Sequence, residues 1–128
     1  MGVSVDEFLA MVERLPEVTL ADGGEWTSVK VTDRGFCFLW EKTETVGVKA
    51  TITEQLALVA ERPDVFEVQF TAGQFGWVVV HLPKITLTEL SELVTEAWCL
   101  TAPQRLLDAH ESRLVAEVTS ATAAPIPP

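Results

Sequence analysis

The stretch from Phe75 to Trp98 constrains this chain most, because its hydrophobic period changes part-way along. Phe75-Gly76-Trp77-Val78-Val79-Val80-His81-Leu82-Pro83 is apolar at successive positions, the pattern of a strand buried on both faces. Leu87, Leu90, Leu93, Val94, Ala97 and Trp98 then recur at the spacing of one helix face. Thr86-Leu87-Thr88-Glu89 supplies the capping box that opens this helix. A strand followed at once by such a helix predicts a central strand with a helix lying back across its sheet.

The segments before it follow the same logic. Ser4-Val5-Asp6-Glu7 is another capping box, and Phe8, Leu9, Val12 and Leu15 form one apolar stripe that Pro16 ends. Asp22-Gly23-Gly24 reads as a loop. Three strands are then predicted, Trp26 to Val31, Phe36 to Trp40 and Val46 to Ala50. Thr32-Asp33-Arg34-Gly35 is the first turn between them, with Gly35 where a positive φ is wanted, and Glu41 to Glu44 is the second. Alternation puts Phe36, Phe38 and Trp40 on one face of the middle strand, with Cys37 and Leu39 on the other. It also puts Trp26, Ser28 and Lys30 on one face of the first.

Thr51-Ile52-Thr53-Glu54 opens a second helix carrying Leu56, Val59 and Ala60. Phe66, Val68 and Phe70 alternate with polar residues as a further strand. Thr101-Ala102-Pro103 reads as an N-cap with Pro in the first turn, opening a weaker last helix through Leu106, Leu107 and Leu114. The order is α-β-β-β-α-β-β-α with a helix appended. This predicts an α+β two-layer fold, an antiparallel sheet of about five strands with helices on one face. Residues 1–118 are expected to form one domain, and 119–128, rich in Ala and Pro, a disordered tail.

The chain of 128 residues carries a net charge of −10. Nucleic-acid affinity rests mainly on Lys and Arg neutralising phosphates, so this balance is unfavourable overall for such a partner. The charge is uneven, however. Helical segments hold most of the acid, while between 29 and 50 Lys30, Arg34, Lys42 and Lys49 outnumber Asp33, Glu41 and Glu44. These four cations are the candidate nucleic-acid-binding residues. Aromatics beside lysines on an open sheet face can stack bases, although most of Trp26, Phe36, Phe38 and Trp40 are expected in the core. No apolar run reaches the ~20 residues of a membrane helix. The N-terminus has neither the basic start nor the apolar run of a secretory signal, which predicts a cytoplasmic protein.

Catalytic chemistry has little to stand on. His81 and His110 have no further His or Cys at ligand spacing, and a metal centre needs three or four such ligands. Glu89, Glu92 and Glu96 fall on the polar side of the helix from Leu87, the pattern of a solvated face. Gly73 and Gly76 lie between strands, with no helix N-terminus after them to hold a phosphate. Cys37 and Cys99 are expected to be reduced. The expectation is therefore no catalytic residue, no metal and no cofactor.

Arg62-Pro63-Asp64-Val65-Phe66, Gly73 to Trp77, Val78 to Leu82, and Leu90 onward through Glu96-Ala97-Trp98-Cys99-Leu100-Thr101-Ala102-Pro103-Gln104-Arg105 resemble the MmcQ/YjbR family of small bacterial proteins. The resemblance covers roughly Phe8 to His110. It implies a two-layer α+β fold similar to type III secretion chaperones, and a DNA-binding role of the kind such proteins are often given. This chain departs from the family pattern at Gln104, where Lys is common, and at Phe70-Thr71, where a His-aromatic pair is common. The other reading is an acidic, chaperone-like module for a protein partner, a second copy or a small ligand.

Overall fold

The computed structural model describes residues 2–69 and 73–110. Helix α1 (Val5–Glu13) begins as its sequence dictates. The Glu7 N–H donates to Ser4 Oγ at 3.1 Å, and the Ser4 N–H donates to Glu7 Oε1 at 3.0 Å. Strands β1 (Val18–Asp22), β2 (Thr27–Val31), β3 (Arg34–Trp40) and β4 (Thr45–Val48) follow, then α2 (Ile52–Glu61) and β5 (Phe66–Val68). A 3-10 turn (Gly73–Phe75), β6 (Val78–His81), a second 3-10 turn (Leu82–Lys84) and α3 (Leu87–Thr101) complete the set, with a further helical segment over 104–110.

The strands form one antiparallel sheet of six, in the order β1-β2-β3-β4-β6-β5. The expected α+β architecture is therefore present, enlarged by β1. That edge strand has no strong apolar alternation, and Thr19, Leu20, Ala21 and Asp22 are all exposed. The stretch at 77–82 is not the central strand. β6 lies between β4 and the edge strand β5, and β3 and β4 occupy the middle.

The core fills the space between one sheet face and the helices. Val29, Val31, Cys37, Leu39, Val46, Val48, Val78 and Val80 meet Phe8 and Val12 of α1 and Leu90, Val94, Ala97 and Trp98 of α3 in one buried cluster. Burying side chains of this size contributes about 1.5–3 kcal/mol each, before entropy is subtracted. The indole of Trp98 donates to the Pro16 carbonyl at 3.1 Å, so α3 also holds the link between α1 and β1. Leu87, at the open end of the predicted stripe, is 42% exposed.

Three local expectations are corrected. The positive φ in the β2–β3 turn falls on Thr32 (46°) and Asp33 (69°), and not on Gly35. Both central residues of a two-residue hairpin turn need that conformation when the turn is the one that matches strand twist. On α2 the inward position is Gln55, with Leu58 and Val59 partly buried, whereas Leu56 is 58% exposed. Thr101 does not cap the last helical segment. It ends α3, with its hydroxyl donating to the Ala97 carbonyl at 2.9 Å. Leu114 and the expected tail at 119–128 lie outside the described residues.

Candidate functional site

The face of the sheet opposite the core carries a different set of side chains. A register shift after Val29 pairs Val29 with Cys37 and Lys30 with Gly35, leaving Phe36 as an extra residue on β3. Such a bulge changes which face the following side chains occupy. Phe36 is accordingly fully buried in the core cluster, while Phe38 and Trp40 are half-buried on the open side. The expectation that Phe36, Phe38 and Trp40 share a face fails at that bulge. Trp26 is 41% exposed, so of the four aromatics expected mostly in the core only Phe36 is there.

The register defines the open face. Ser28 pairs with Phe38, Phe38 with Gly47, and Gly47 with Val79. Trp40 pairs with Thr45, and Thr45 with His81. Trp77, one residue before β6, alternates with core-facing Val78 and joins the same side. Its ring lies 5.2 Å from that of Phe38, and Phe38 lies 6.5 Å from Trp40, both pairs tilted by about 40°. An oblique aromatic stripe thus crosses from β3 to the start of β6.

Glycines let the rings lie down. A Cβ at Gly47 would sit 3.2 Å from Trp40 Cζ3, and one at Gly35 would sit 3.3 Å from Phe38 Cζ. Trp77 is held by its backbone. Its carbonyl accepts from Gln55 Nε2 at 2.7 Å and from the Gln69 N–H at 3.2 Å. Gln55 Nε2 also donates to the Gly73 carbonyl at 2.8 Å, so one buried amide of α2 fixes both ends of the 73–77 segment. The segment is pressed close at Gly76, whose φ is +97° and whose missing Cβ would fall 2.1 Å from the Ala50 carbonyl oxygen.

The charges on this face are few. Lys30 and Lys49 are half-exposed, and among the described residues neither is in an ion pair. The backbone N–H of Lys49 donates to the Phe36 carbonyl at 3.1 Å, placing Lys49 level with the β2–β3 turn. Arg34, exposed, starts β3 at the same end. Lys42 does not join them. It follows the far end of β3, roughly 20 Å away along the strand, in a shallow pocket of about 190 Å³ among Asp22, Glu25, Trp26 and Glu41. Three of the four candidate cations therefore share one end of the sheet, and the fourth sits among carboxylates. Glu67, the acid of β5 on this face, is held by His81 Nε2 at 2.6 Å.

The opposite side is acidic. Between α2 and α3 a cleft of about 190 Å³ is walled by Glu54, Glu89, Glu92 and Glu96 over Leu58, Phe66 and Leu93. Arg62 pairs with Glu89 and lies over the Phe66 ring, 5.9 Å from its centroid. Burial first, and the nearby Glu96 charge second, raise the Glu54 carboxyl above its ordinary range. Burial likewise pushes the Cys37 thiol well up, so it stays protonated and unreactive. Among the described residues no group of three or more His, Cys, Asp or Glu is placed to hold a metal ion, and no helix is long and apolar enough to cross a membrane.

The comparison that decides kinship is with the YjbR family model, which matches residues 13–100. The chain belongs to the YjbR family. The match runs from the end of α1 to α3, and so includes every open-face residue described above. Uncharacterized proteins of Mycobacterium bovis and Mycobacterium tuberculosis are 34% identical to it over 89 residues, covering 67% of this chain and 53% of theirs. The chain spans about half the length of these curated relatives. The crystal structure of Deinococcus radiodurans protein DR2400, a DUF419 domain, has the same fold at 18% identity. Its TM-score is 0.70, with 77% of this chain and 78% of that one covered.

The stripe was half-concealed in the sequence. Trp40 and Phe38 were in view, but their exposure depends on the bulge at Phe36. Trp77 stands in one apolar run with the buried valines. Its parity against Val78 and Val80 was the available signal.

Proposed function

We propose that this YjbR-family chain is a non-catalytic binding domain that meets an anionic partner on the open face of its sheet, DNA being the partner the family resemblance implies. The observation that carries this reading is the pairing of Lys30 and Lys49, unengaged among the described residues, with a half-exposed aromatic stripe. Asp6, Glu7, Glu13, Glu54, Glu61, Glu89, Glu92 and Glu96 stand on the helices of the other layer. A polyanion is thus attracted to one side and repelled from the other, and the net charge of −10 does not describe the surface it would meet. Arg34 pairs with core-facing Val31 and so falls on the other side at that end of the sheet, which leaves both it and Lys42 out of the proposed contact.

Fluorescence anisotropy of labelled DNA against the purified protein tests this reading. Binding is expected at low salt and should weaken by the slope that a few phosphate contacts give, about −0.7 per contact for single strands and −0.9 for duplex. The K30E/K49E variant should lose it. Unchanged affinity in that variant would remove the open face from the assignment.

The second reading is an acidic, chaperone-like module for a protein partner. The cleft between α2 and α3 favours it, with carboxylates around an apolar floor. Pull-down that survives K30E/K49E and fails on Glu92→Lys would favour that alternative over the open face.

A further inference from the structure

We propose that the open face is a stacking platform for unpaired bases, so that the domain takes single-stranded nucleic acid in preference to duplex. This rests on the anionic-partner reading and adds the class of ligand.

Ring geometry is the first support. Trp40, Phe38 and Trp77 are tilted to one another at 42° and 39°, so they do not use up their faces in parallel stacking. Trp40 packs against Gly47, where a Cβ would come 3.2 Å from Cζ3, so the glycine makes room for the ring on this face. Phe38, Trp40 and Trp77 are each half-buried, so part of every side chain remains accessible on this face. Aromatic side chains held in this way accept any base, because every base has a π-face.

The shape of the sheet supplies the second. A six-stranded sheet with neighbours about 4.8 Å apart measures roughly 24 Å across, twice the ~12 Å width of the major groove. The stripe crosses several strands in the middle of that surface. A duplex lying on it would present phosphates and keep its base edges out of reach, whereas a single strand can turn its bases onto the rings. Lys30 and Lys49 stand beside the stripe to meet phosphates, and Glu67, the acid that would oppose them, is tied to His81 at 2.6 Å. An uncharged apolar partner would match the rings as well, but not the unengaged lysines beside them.

Anisotropy titrations of a labelled oligothymidylate and of a duplex of equal length, at about 50 mM salt, test the proposal. The single strand should bind more tightly. Trp40→Leu and Trp77→Leu should each weaken it by roughly 5- to 150-fold, the worth of one stacked base, and leave duplex binding as it was. Trp40→Phe should restore much of the loss. Equal affinity for both forms, untouched by the tryptophan substitutions but abolished in K30E/K49E, would overturn the stacking platform and leave the anionic-partner reading standing. No binding of either form would overturn both. A dimer that dissociates on Trp77→Leu, with no nucleic acid bound, would assign the stripe to self-association instead. Should a leucine variant fail to fold, the ratio of single-strand to duplex affinity in the unaltered protein decides.

Discussion

The indole of Trp40 lies over Gly47, so closely that a Cβ there would stand 3.2 Å from Cζ3 and 3.5 Å from Cη2. Gly47 pairs with Phe38 on one side and Val79 on the other, in the middle of the sheet. A glycine inside a strand normally weakens it, and here its use is the close approach of a ring. Gly47→Ala should lift Trp40 by a few tenths of an ångström. Because that ring is half-exposed and has room to move, stability should change by less than about 0.5 kcal/mol. The Trp40 indole resonance should shift while that of buried Trp98 stays. A loss of several kcal/mol in chemical denaturation would mean that the ring is locked.

Gln55 should behave as a structural polar residue. Its amide donates to the Gly73 and Trp77 carbonyls. Gln55→Leu leaves both acceptors without that donor, and should cost about 1–3 kcal/mol in urea unfolding. Trp77 should move with its carbonyl, so the same variant should weaken any ligand that stacks there. A variant as stable as the parent would contradict this.

The β2–β3 turn offers a gain. Thr32 is β-branched yet has φ 46°, a conformation that Asn tolerates much better. Thr32→Asn should stabilise the fold by about 0.5–1 kcal/mol, read as a higher midpoint with an unchanged denaturant slope. An unchanged or lower midpoint would show that the threonine makes up for its backbone elsewhere.

The acidic cleft predicts a pH dependence. The Glu54 carboxyl is raised by burial and by the Glu96 charge, so the native state holds its proton more tightly than the unfolded chain does. A raised carboxyl costs stability above its native pKa, and the cost vanishes as pH falls below the unfolded value of about 4.3. Glu96→Gln removes the like charge without touching the Thr51 cap of α2. It should raise the melting temperature at pH 7 and leave it unchanged near pH 3. An equal shift at both would place the effect elsewhere.

What could be read in the sequence follows physical lines. The helix starts at Ser4, Thr51 and Thr86 each accept from the backbone three residues on, because capping is local chemistry. Leu90, Val94, Ala97 and Trp98 are fully buried, because helical periodicity over several turns leaves few alternatives. β1 carries no strand signal of its own because an exposed edge strand needs no apolar alternation. Simple alternation puts Phe36 on the wrong face because a bulge is a relationship between two strands, and nothing local marks Gln55 as inward because its partners are 18 and 22 positions away. The site suffered most from these gaps. Lys30 and Lys49 are legible as local charge, whereas the stripe they accompany depends on that bulge, on the parity of Trp77 and on Gly47 opposite Phe38.

The central claim is that ligand meets the open face, and the chain's tryptophans report on it directly. Trp40 and Trp77 lie in the stripe, Trp26 stands beside Lys42 in the shallow pocket, and Trp98 is buried with its Nε1–H bonded to Pro16. Indole N–H resonances recorded while an oligothymidylate is added should shift at Trp40 and Trp77 and hold still at Trp98. Shifts confined to Trp26, or none at any indole at saturating oligonucleotide, would contradict the account.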